Sequence, residues 1–310
     1  MPRCRLELKP GLRWGRGCGE SAAVETTEAY RLVRLANGRW SIHSTAEEET
    51  FHPVIGPAAE AEALYVGQLR LRERLAAHDG EFVLWDVGLG AAANPLTALR
   101  AARGAGAPVR ILSFDRTLGP LAFGLRHARE LGYFDGYEAQ LKELLEAGRT
   151  AFSNGGRAVV WETRLGDFPA LLRADEAAQW PKPHAILFDA FSPARNPAMW
   201  TLPLFTRLFA LLDPARPCAM PTYSRSTMLR TTLLLAGFFV GAGEATGEKE
   251  ETTLAANTPA LVARPLDRRW LARARRSTCA EPLREPVYRR ARLSEATWDR
   301  LLAHPQFQEV

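Results

Sequence analysis

Four aspartates recur along the chain, each at or just past the end of an apolar run that reads as a strand. Asp86 closes "EFVLWD", Asp115 follows "VRILSF", Asp167 follows "RAVVWE" within "ETRLGDFPALL", and Asp189 closes "HAILFD". Gly88 and Gly90 come directly after the first of them. Glycines there let the chain turn tightly and bring its backbone against a ligand. Asp115, 25 residues beyond Gly90, stands where a carboxylate can accept both hydroxyls of a ribose. A single acid at a strand end is often only a helix N-cap, and Asp167, just before "FPALLRA", has that reading as well. Four at one edge suit a ligand with a ribose and cationic groups better than the pyrophosphate of a dinucleotide. S-adenosylmethionine carries a sulfonium and an ammonium and no phosphate. The Gly-x-Gly signal is weak by itself, with Ala92 where a third glycine is common, and NAD-binding proteins share it. Taken alone, these residues lead to a Rossmann-like nucleotide binder.

The elements that must position them follow from the hydrophobic pattern. Strands at 81–86, 109–114, 157–162, 184–189 and 217–223 alternate with helices at 93–103, 119–131, 138–147, 166–174, 200–212 and 225–236. Two closing strands, 238–242 and 251–256, form a hairpin. Such alternation implies an α/β fold with a mostly parallel, doubly wound sheet, whose ligands bind beyond the carboxyl ends of the strands. Upstream, "YRLVRLANGRWSIHS" (30–44) reads as a β-hairpin turning at Asn37-Gly38 in a type I′ turn. "PAAEAEALYVGQLRLRERLAAH" (57–78) reads as one helix beginning at Pro57. Residues 1–25 are Gly- and Arg-rich without periodicity and are expected to be poorly ordered. The expected organisation is an N-terminal extension over 26–80, a core over 81–258 and an Arg-rich tail over 259–310.

With 310 residues, 46% hydrophobic and 24% charged, the chain suits one enlarged soluble domain. Its longest apolar stretch, "LLLAGFFVGAG" (233–243), is too short to span a bilayer, and the N-terminus lacks the apolar core of a secretory signal. Cys4, Cys18, Cys218 and Cys279 have no metal or redox spacing, so reduced thiols, a cytoplasmic location and no bound metal are expected. The net charge of +5 comes almost wholly from arginine. The segment 264–292 holds ten arginines against three acids, with Trp270 and Tyr288 among them. It reads either as an RNA-binding arm or as a solvated basic helix, broken by Pro282 and Pro286.

Three motifs go further. "DAFSPARNPAMWT" (189–201) resembles the DGFAPxKNPxMW signature of the methyltransferase family that completes 5-methylaminomethyl-2-thiouridine at the tRNA wobble position. "EEETFHPVIGPAAEAEALYV" (47–66) is similar to that family's Tyr-His, Gly and Glu segment, matched here by Phe51-His52, Gly56 and Glu60. "MPTYSRSTMLRTTLLLAGFFVGAGEATGEKEETTLA" (220–255) is similar to its TYS…GxGxKRE ending. The resemblance spans roughly residues 30–256, in the right order.

The resemblance implies a class I methyltransferase fold, S-adenosylmethionine as cofactor, tRNA as partner and N-methylation of the aminomethyl group of 5-aminomethyl-2-thiouridine. It carries Gly88 and Gly90 to the cofactor loop, Asp115 to the ribose and Asp167 to the adenine. Asp86, Glu60 and His52 fall on the cofactor side, and Asp189 and Phe191 on the target-amine loop. A carboxylate beside the amine can hold a neutral N–H in line and stabilise positive charge developing on nitrogen. Phe191 or Trp200 can stack on a flipped uracil. The simpler readings are a core position for Trp200, a loop anchor for Asp189 and a backbone contact for His52. Three positions depart from the family. Ala92 adds a methyl where backbone is expected to approach the cofactor, Phe51 lacks a hydroxyl, and Glu250 is acidic where a base is usual. The chain resembles the stand-alone form, without the flavin-dependent oxidase half. Two other functions fit the same residues: a related methyltransferase with another amine acceptor, and a non-catalytic RNA-binding relic of the fold.

Overall fold

A computed structural model describes residues 29–52, 54–246 and 250–308. The segment 1–25, expected to be poorly ordered, lies outside them.

The chain enters through a small antiparallel sheet of β1 (Tyr30–Arg34), β2 (Trp40–Ser44) and β3 (Glu49–Thr50). The hairpin between β1 and β2 forms as expected, but its turn differs. Arg34 pairs with Trp40, leaving a five-residue loop in which Gly38 has φ +81° and Asn37 keeps a negative φ. The Asn37 side chain accepts the Arg39 N–H at 3.1 Å and donates to the Val54 carbonyl at 3.2 Å. That side-chain turn replaces the type I′ geometry.

The helix expected over 57–78 is interrupted. It starts at Pro57 as α1 (Pro57–Ala61), widens into a π-helical turn over Glu62–Gly67, and resumes as α2 (Leu71–Ala76) after Arg70 at φ +49°. The wide turn presents the buried Tyr65, whose hydroxyl donates to the Phe188 carbonyl at 2.9 Å. Gln68, one turn on, bonds Thr252 at 2.8 Å. Wide turns of this kind commonly sit at functional sites, and periodicity alone does not reveal them.

The core alternates as read: β4 (Phe82–Val87), α3 (Ala93–Ala101), β5 (Val109–Asp115), α4 (Gly119–Arg126), α5 (Ala128–Leu131) and α6 (Glu138–Ala147) come first. β6 (Arg149–Asn154), β7 (Arg157–Leu165), α7 (Phe168–Arg173), β8 (Ala185–Phe188), α8 (Leu202–Leu211), β9 (Ala219–Thr222), α9 (Thr227–Leu235), β10 (Phe239–Gly243) and β11 (Thr252–Ala256) follow. The sheet order is β10-β11-β9-β8-β4-β5-β7-β6. Strands β9, β8, β4, β5 and β7 run parallel, and β11, β10 and β6 pair antiparallel at the flanks. β6 was not expected; its short, polar "RTAFSN" hides a strand that turns at Gly155-Gly156 onto β7.

Alternation along β4 assigns its residues to two apolar layers. Val83, Trp85 and Val87 join one, with α8 and α9; Phe82 and Leu84 join the other, with α1, α3 and the wide turn. The chain after 258 joins the first layer. Trp270, Leu271 and Ala274 of α10 (Arg268–Arg276), and Leu301 of α11 (Glu295–Leu302), are buried there. Sheet order reverses at β4, with β5 on one side and β8 on the other, which opens a crevice beyond their carboxyl ends.

Candidate active site

That crevice holds a cavity of about 460 Å³, within the range of a small-molecule or cofactor site. Its floor is the turn Val87–Gly90 and the start of α3. One wall comes from Asp115 to Thr117, another from Asp189 to Phe191, and the small N-terminal sheet closes it with Tyr30, Ser41, Glu47, Glu49 and Phe51.

Gly88 makes the floor possible. At φ +93°, an added Cβ would lie 2.5 Å from the Asp189 carbonyl oxygen, so the ends of β4 and β8 meet only if this residue has no side chain. The next N–H but one, from Gly90, points at Asp115 and donates to its Oδ2 at 2.9 Å. Asp115 Oδ1 accepts from the backbone of Arg116 at 2.7 Å. Burial raises the Asp115 carboxyl above its ordinary value, and these backbone donors pull it back. A carboxylate has about four lone-pair sites, so capacity remains for hydroxyl donors from the cavity.

Across the floor, Asp189 Oδ2 accepts from Asn94 Nδ2 at 2.8 Å and lies 3.4 Å from His52 Nε2. The other ring nitrogen of His52 lies 3.7 Å from Glu60 Oε2. His52 stands at φ +46°, a conformation an L-residue adopts only when its surroundings impose it. Asn94 is 3% exposed, and among the described residues its buried Oδ1 has no hydrogen-bond partner.

The loop after β8 is tied from several directions. Tyr65 bonds the Phe188 carbonyl, Tyr223 the Ala190 carbonyl at 2.9 Å, and Trp200 the Phe191 carbonyl at 2.7 Å. Glu49 of β3 receives both the N–H and the hydroxyl of Ser192. The Phe191 ring packs on Phe51, centroids 5.5 Å apart. Sequence reading had not singled out Asn94, Glu49, Tyr65 or Tyr223. Asn94 ends the stretch "GLGAAAN" (88–94) and Tyr223 stands in "TYS", but none has a spacing that names its role.

His52, Glu60, Gly88, Gly90, Asp115, Asp189 and Phe191 all line the cavity. Asp86 and Asp167 do not. Asp86 is fully buried behind the floor, where Ser113 donates to its Oδ2 at 2.6 Å and Trp161 in turn donates to Ser113. Burial pushes its carboxyl up to about 8, against the opposing Ser113 bond, with Asp189 and Asp115 adding to the rise. Asp167 caps α7 through the Ala170 N–H at 3.2 Å and stands 3.7 Å from Arg116 Nη2 at the cavity rim. Trp200 is fully buried in the core and offers no face for stacking. Ala92 also corrects an expectation. Its methyl belongs to the apolar layer beneath α3, outside the cavity lining, so it does not obstruct a ligand; the strain there is in its backbone, at φ +63°.

Switch point, glycine floor and strand-end acid are those of a Rossmann-like site for a nucleoside-bearing ligand, and the S-adenosyl-L-methionine-dependent methyltransferase family profile matches residues 142–258. The wobble-uridine resemblance is borne out among individual proteins. The tRNA 5-methylaminomethyl-2-thiouridine biosynthesis bifunctional protein MnmC of Stutzerimonas stutzeri (strain A1501) is 30% identical over 230 residues, covering 71% of this chain and 33% of that one. The MnmC protein of Aeromonas hydrophila is 32% identical over 211 residues, covering 62% and 30%. The chain thus spans about a third of the length of the curated relatives it matches. The crystal structure of MnmC2 from Aquifex aeolicus superposes with a TM-score of 0.65 at 23% identity, covering 90% of this chain and 85% of that chain, and shows the same fold.

S-adenosylmethionine is the cofactor, and the residues present suit it. Gly88 and Gly90 leave backbone bare on the floor, and Asp115, with acceptor capacity to spare, lines one wall where hydroxyl groups of a ligand can reach it. Among the described residues no helix is long and apolar enough to cross a membrane, and no group of three or more His, Cys, Asp or Glu side chains is arranged for a metal ion.

Proposed function

We propose that this chain methylates the aminomethyl nitrogen of 5-aminomethyl-2-thiouridine at the tRNA wobble position, which would place it in the cytoplasm with its substrate. The observation that carries the reading is Asp189 on the cavity wall, whose Oδ2 accepts from Asn94 and lies 3.4 Å from His52. Such a carboxylate is suited to an amine acceptor. The name of the MnmC relatives contains the nucleoside that would bring one.

When bound, the cofactor supplies a methyl group on a sulfonium, already a good leaving group. The remaining work is alignment and charge. Asp189 accepts an N–H of the neutral amine and stabilises the charge that grows on nitrogen. Asn94 and His52, the latter backed by Glu60, gather at one oxygen of that carboxylate, Oδ2, and orient it. Phe191, supported by Phe51, offers an apolar face to the uracil. Asp115 would take the ribose hydroxyls, Gly88 and Gly90 would bring backbone to the methionine end, and Asp167, outside the cavity lining beside Arg116, would act on the adenine only from the rim. Asp86 acts from behind, by fixing the end of β4.

The test is incubation of the protein with S-adenosylmethionine and tRNA bearing 5-aminomethyl-2-thiouridine, followed by mass spectrometry of the nucleosides. Conversion to the methylaminomethyl form is expected. Methyl transfer to a different amine would make the chain a related enzyme with another acceptor. Cofactor binding with no transfer to any amine would make it a relic.

A further inference from the structure

The tail carries a surface that the cavity does not explain. Three residues of α10, Trp270, Leu271 and Ala274, are buried in the core. Arg269, Arg273 and Arg276 are four and three positions apart, so they share the opposite, exposed face. Three other tail arginines have acidic partners: Arg275 meets Glu295 at 2.5 Å, Arg289 meets Glu285 at 2.8 Å, and Arg284 meets Glu281 at 3.6 Å. Among the described residues Arg269, Arg273 and Arg276 have none. Like charges one turn apart destabilise a helix, and Arg269 in the first turn opposes the helix dipole, which offsets the favourable dipole contact of Arg273 and Arg276 in the last turn.

Its position relates it to the site. Arg225 follows the cavity-lining Tyr223 by two residues and stands 3.8 Å from Glu250, while Arg230 pairs with the adjacent Glu251 at 3.0 Å. Burial lowers the Arg230 guanidinium below its ordinary value, Glu251 opposes this, and the charges of Arg273 and Arg225 lower it further. Trp270, Leu271 and Ala274 of α10 pack in the same apolar layer as Met228, Leu229 and Leu233 of α9, so the α10 row and Arg225, just before α9, lie on one side of the sheet as a basic strip.

We propose that this strip, Arg225 with the α10 row Arg269, Arg273 and Arg276, is the docking surface for the phosphate backbone of the RNA whose base enters the cavity. The proposal rests on the tRNA reading above. Guanidinium groups bind phosphate oxygens in a bidentate fork. A membrane surface fits less well, because a helix lying on lipid needs apolar side chains to insert, and the Trp and Leu of α10 face the core.

The test uses the full chain with Arg269→Gln, Arg273→Gln and Arg276→Gln combined, and bulk tRNA as the probe. Calorimetric S-adenosylmethionine binding should match wild type, which reports an intact fold. The slope of log Kd against log salt should shrink by about 2–3 for three lost phosphate contacts, and tRNA affinity near physiological salt should drop about 10–100-fold. The corresponding triple Lys variant should recover most of the slope. With aminomethyl-bearing tRNA, KM should rise while kcat stays near wild type. An unchanged slope in the Gln variant overturns the surface, as does wild-type binding to phosphatidylserine vesicles in preference to tRNA. If the Gln variant loses cofactor binding, the three single variants decide, each expected to reduce the slope by about 1. Should wild type bind tRNA steeply, and the variant lose this, with no methylated wobble product from either, the surface stands and the wobble reading falls. Methylation with unchanged KM in the variant has the opposite meaning.

Discussion

Asp189 has a role that can be separated from cofactor binding. Its carboxylate faces Asn94 and His52, whereas the ribose-side acid is Asp115, tied to Gly90 on the other wall. Asp189→Asn keeps the shape and removes the charge. S-adenosylmethionine affinity should stay within about threefold, while turnover falls by about 10²–10⁴, the range for a positioned acid–base group. Near-normal turnover would reduce Asp189 to a loop anchor. Ala92 gives a second residue-scale prediction, of opposite kind. Its methyl is packed away from the cavity and its φ is +63°, a conformation that costs an L-residue about 1–2 kcal/mol, part of which glycine returns as lost chain entropy. Ala92→Gly should therefore stabilise the fold by about 0.5–1 kcal/mol in urea unfolding and leave cofactor affinity unchanged. Tighter cofactor binding would mean that the methyl does reach the ligand. At this scale the sequence discloses acids and glycines, because strand ends expose them as a pattern. It does not disclose Asn94, because an asparagine in the first turn of a helix looks like ordinary terminal polarity.

The elements contribute by holding the loop after β8. Glu49, on the two-residue strand β3, receives both the N–H and the hydroxyl of Ser192, joining the small N-terminal sheet to the acceptor side of the cavity. Glu49→Ala removes both bonds and leaves the glycine floor and Asp115 untouched. KM for the acceptor should rise by about tenfold, the loss of charge-assisted bonding worth about 1.5–3 kcal/mol at most, with cofactor affinity intact. A parallel loss of cofactor affinity would show that the sheet shapes the whole cavity. The strand–helix alternation of the core was legible because buried parallel strands are continuous apolar runs bounded by glycine and acid. The wide turn at Glu62–Gly67 and strand β6 were not. The first is set by tertiary bonds from Tyr65 and Gln68 to distant residues, and the second is a polar edge strand recognisable chiefly from its Gly155-Gly156 turn. Of the cavity's closing wall, residues 30–44 had been read only as a hairpin and Phe51-His52 only through the resemblance, since the wall's meeting with the loop after β8 depends on contacts more than a hundred residues apart in the chain.

The whole molecule carries one acid under tension. Asp86, on the Phe82 and Leu84 face of β4, has no exposed surface, with one oxygen bonded by Ser113 and the other without a partner among the described residues. Burial pushes its carboxyl up to about 8, while in the unfolded chain it would titrate near the ordinary value of about 4. Between those two values the folded chain holds a proton that the unfolded chain has released. Stability from this group is therefore fully present at low pH, declines as pH rises through the interval, and levels off above about 8. The steepest decline expected from one such proton is about 1.4 kcal/mol per pH unit. Asp86→Asn imitates the protonated acid at every pH. Urea unfolding of both proteins from pH 5 to pH 9 should give curves that diverge as pH rises to about 8 and run parallel beyond it, with the Asn variant the more stable at the alkaline end. Curves parallel throughout would mean that Asp86 is ionised in the folded chain across the range, held so by a positive charge or ordered water reaching its open oxygen.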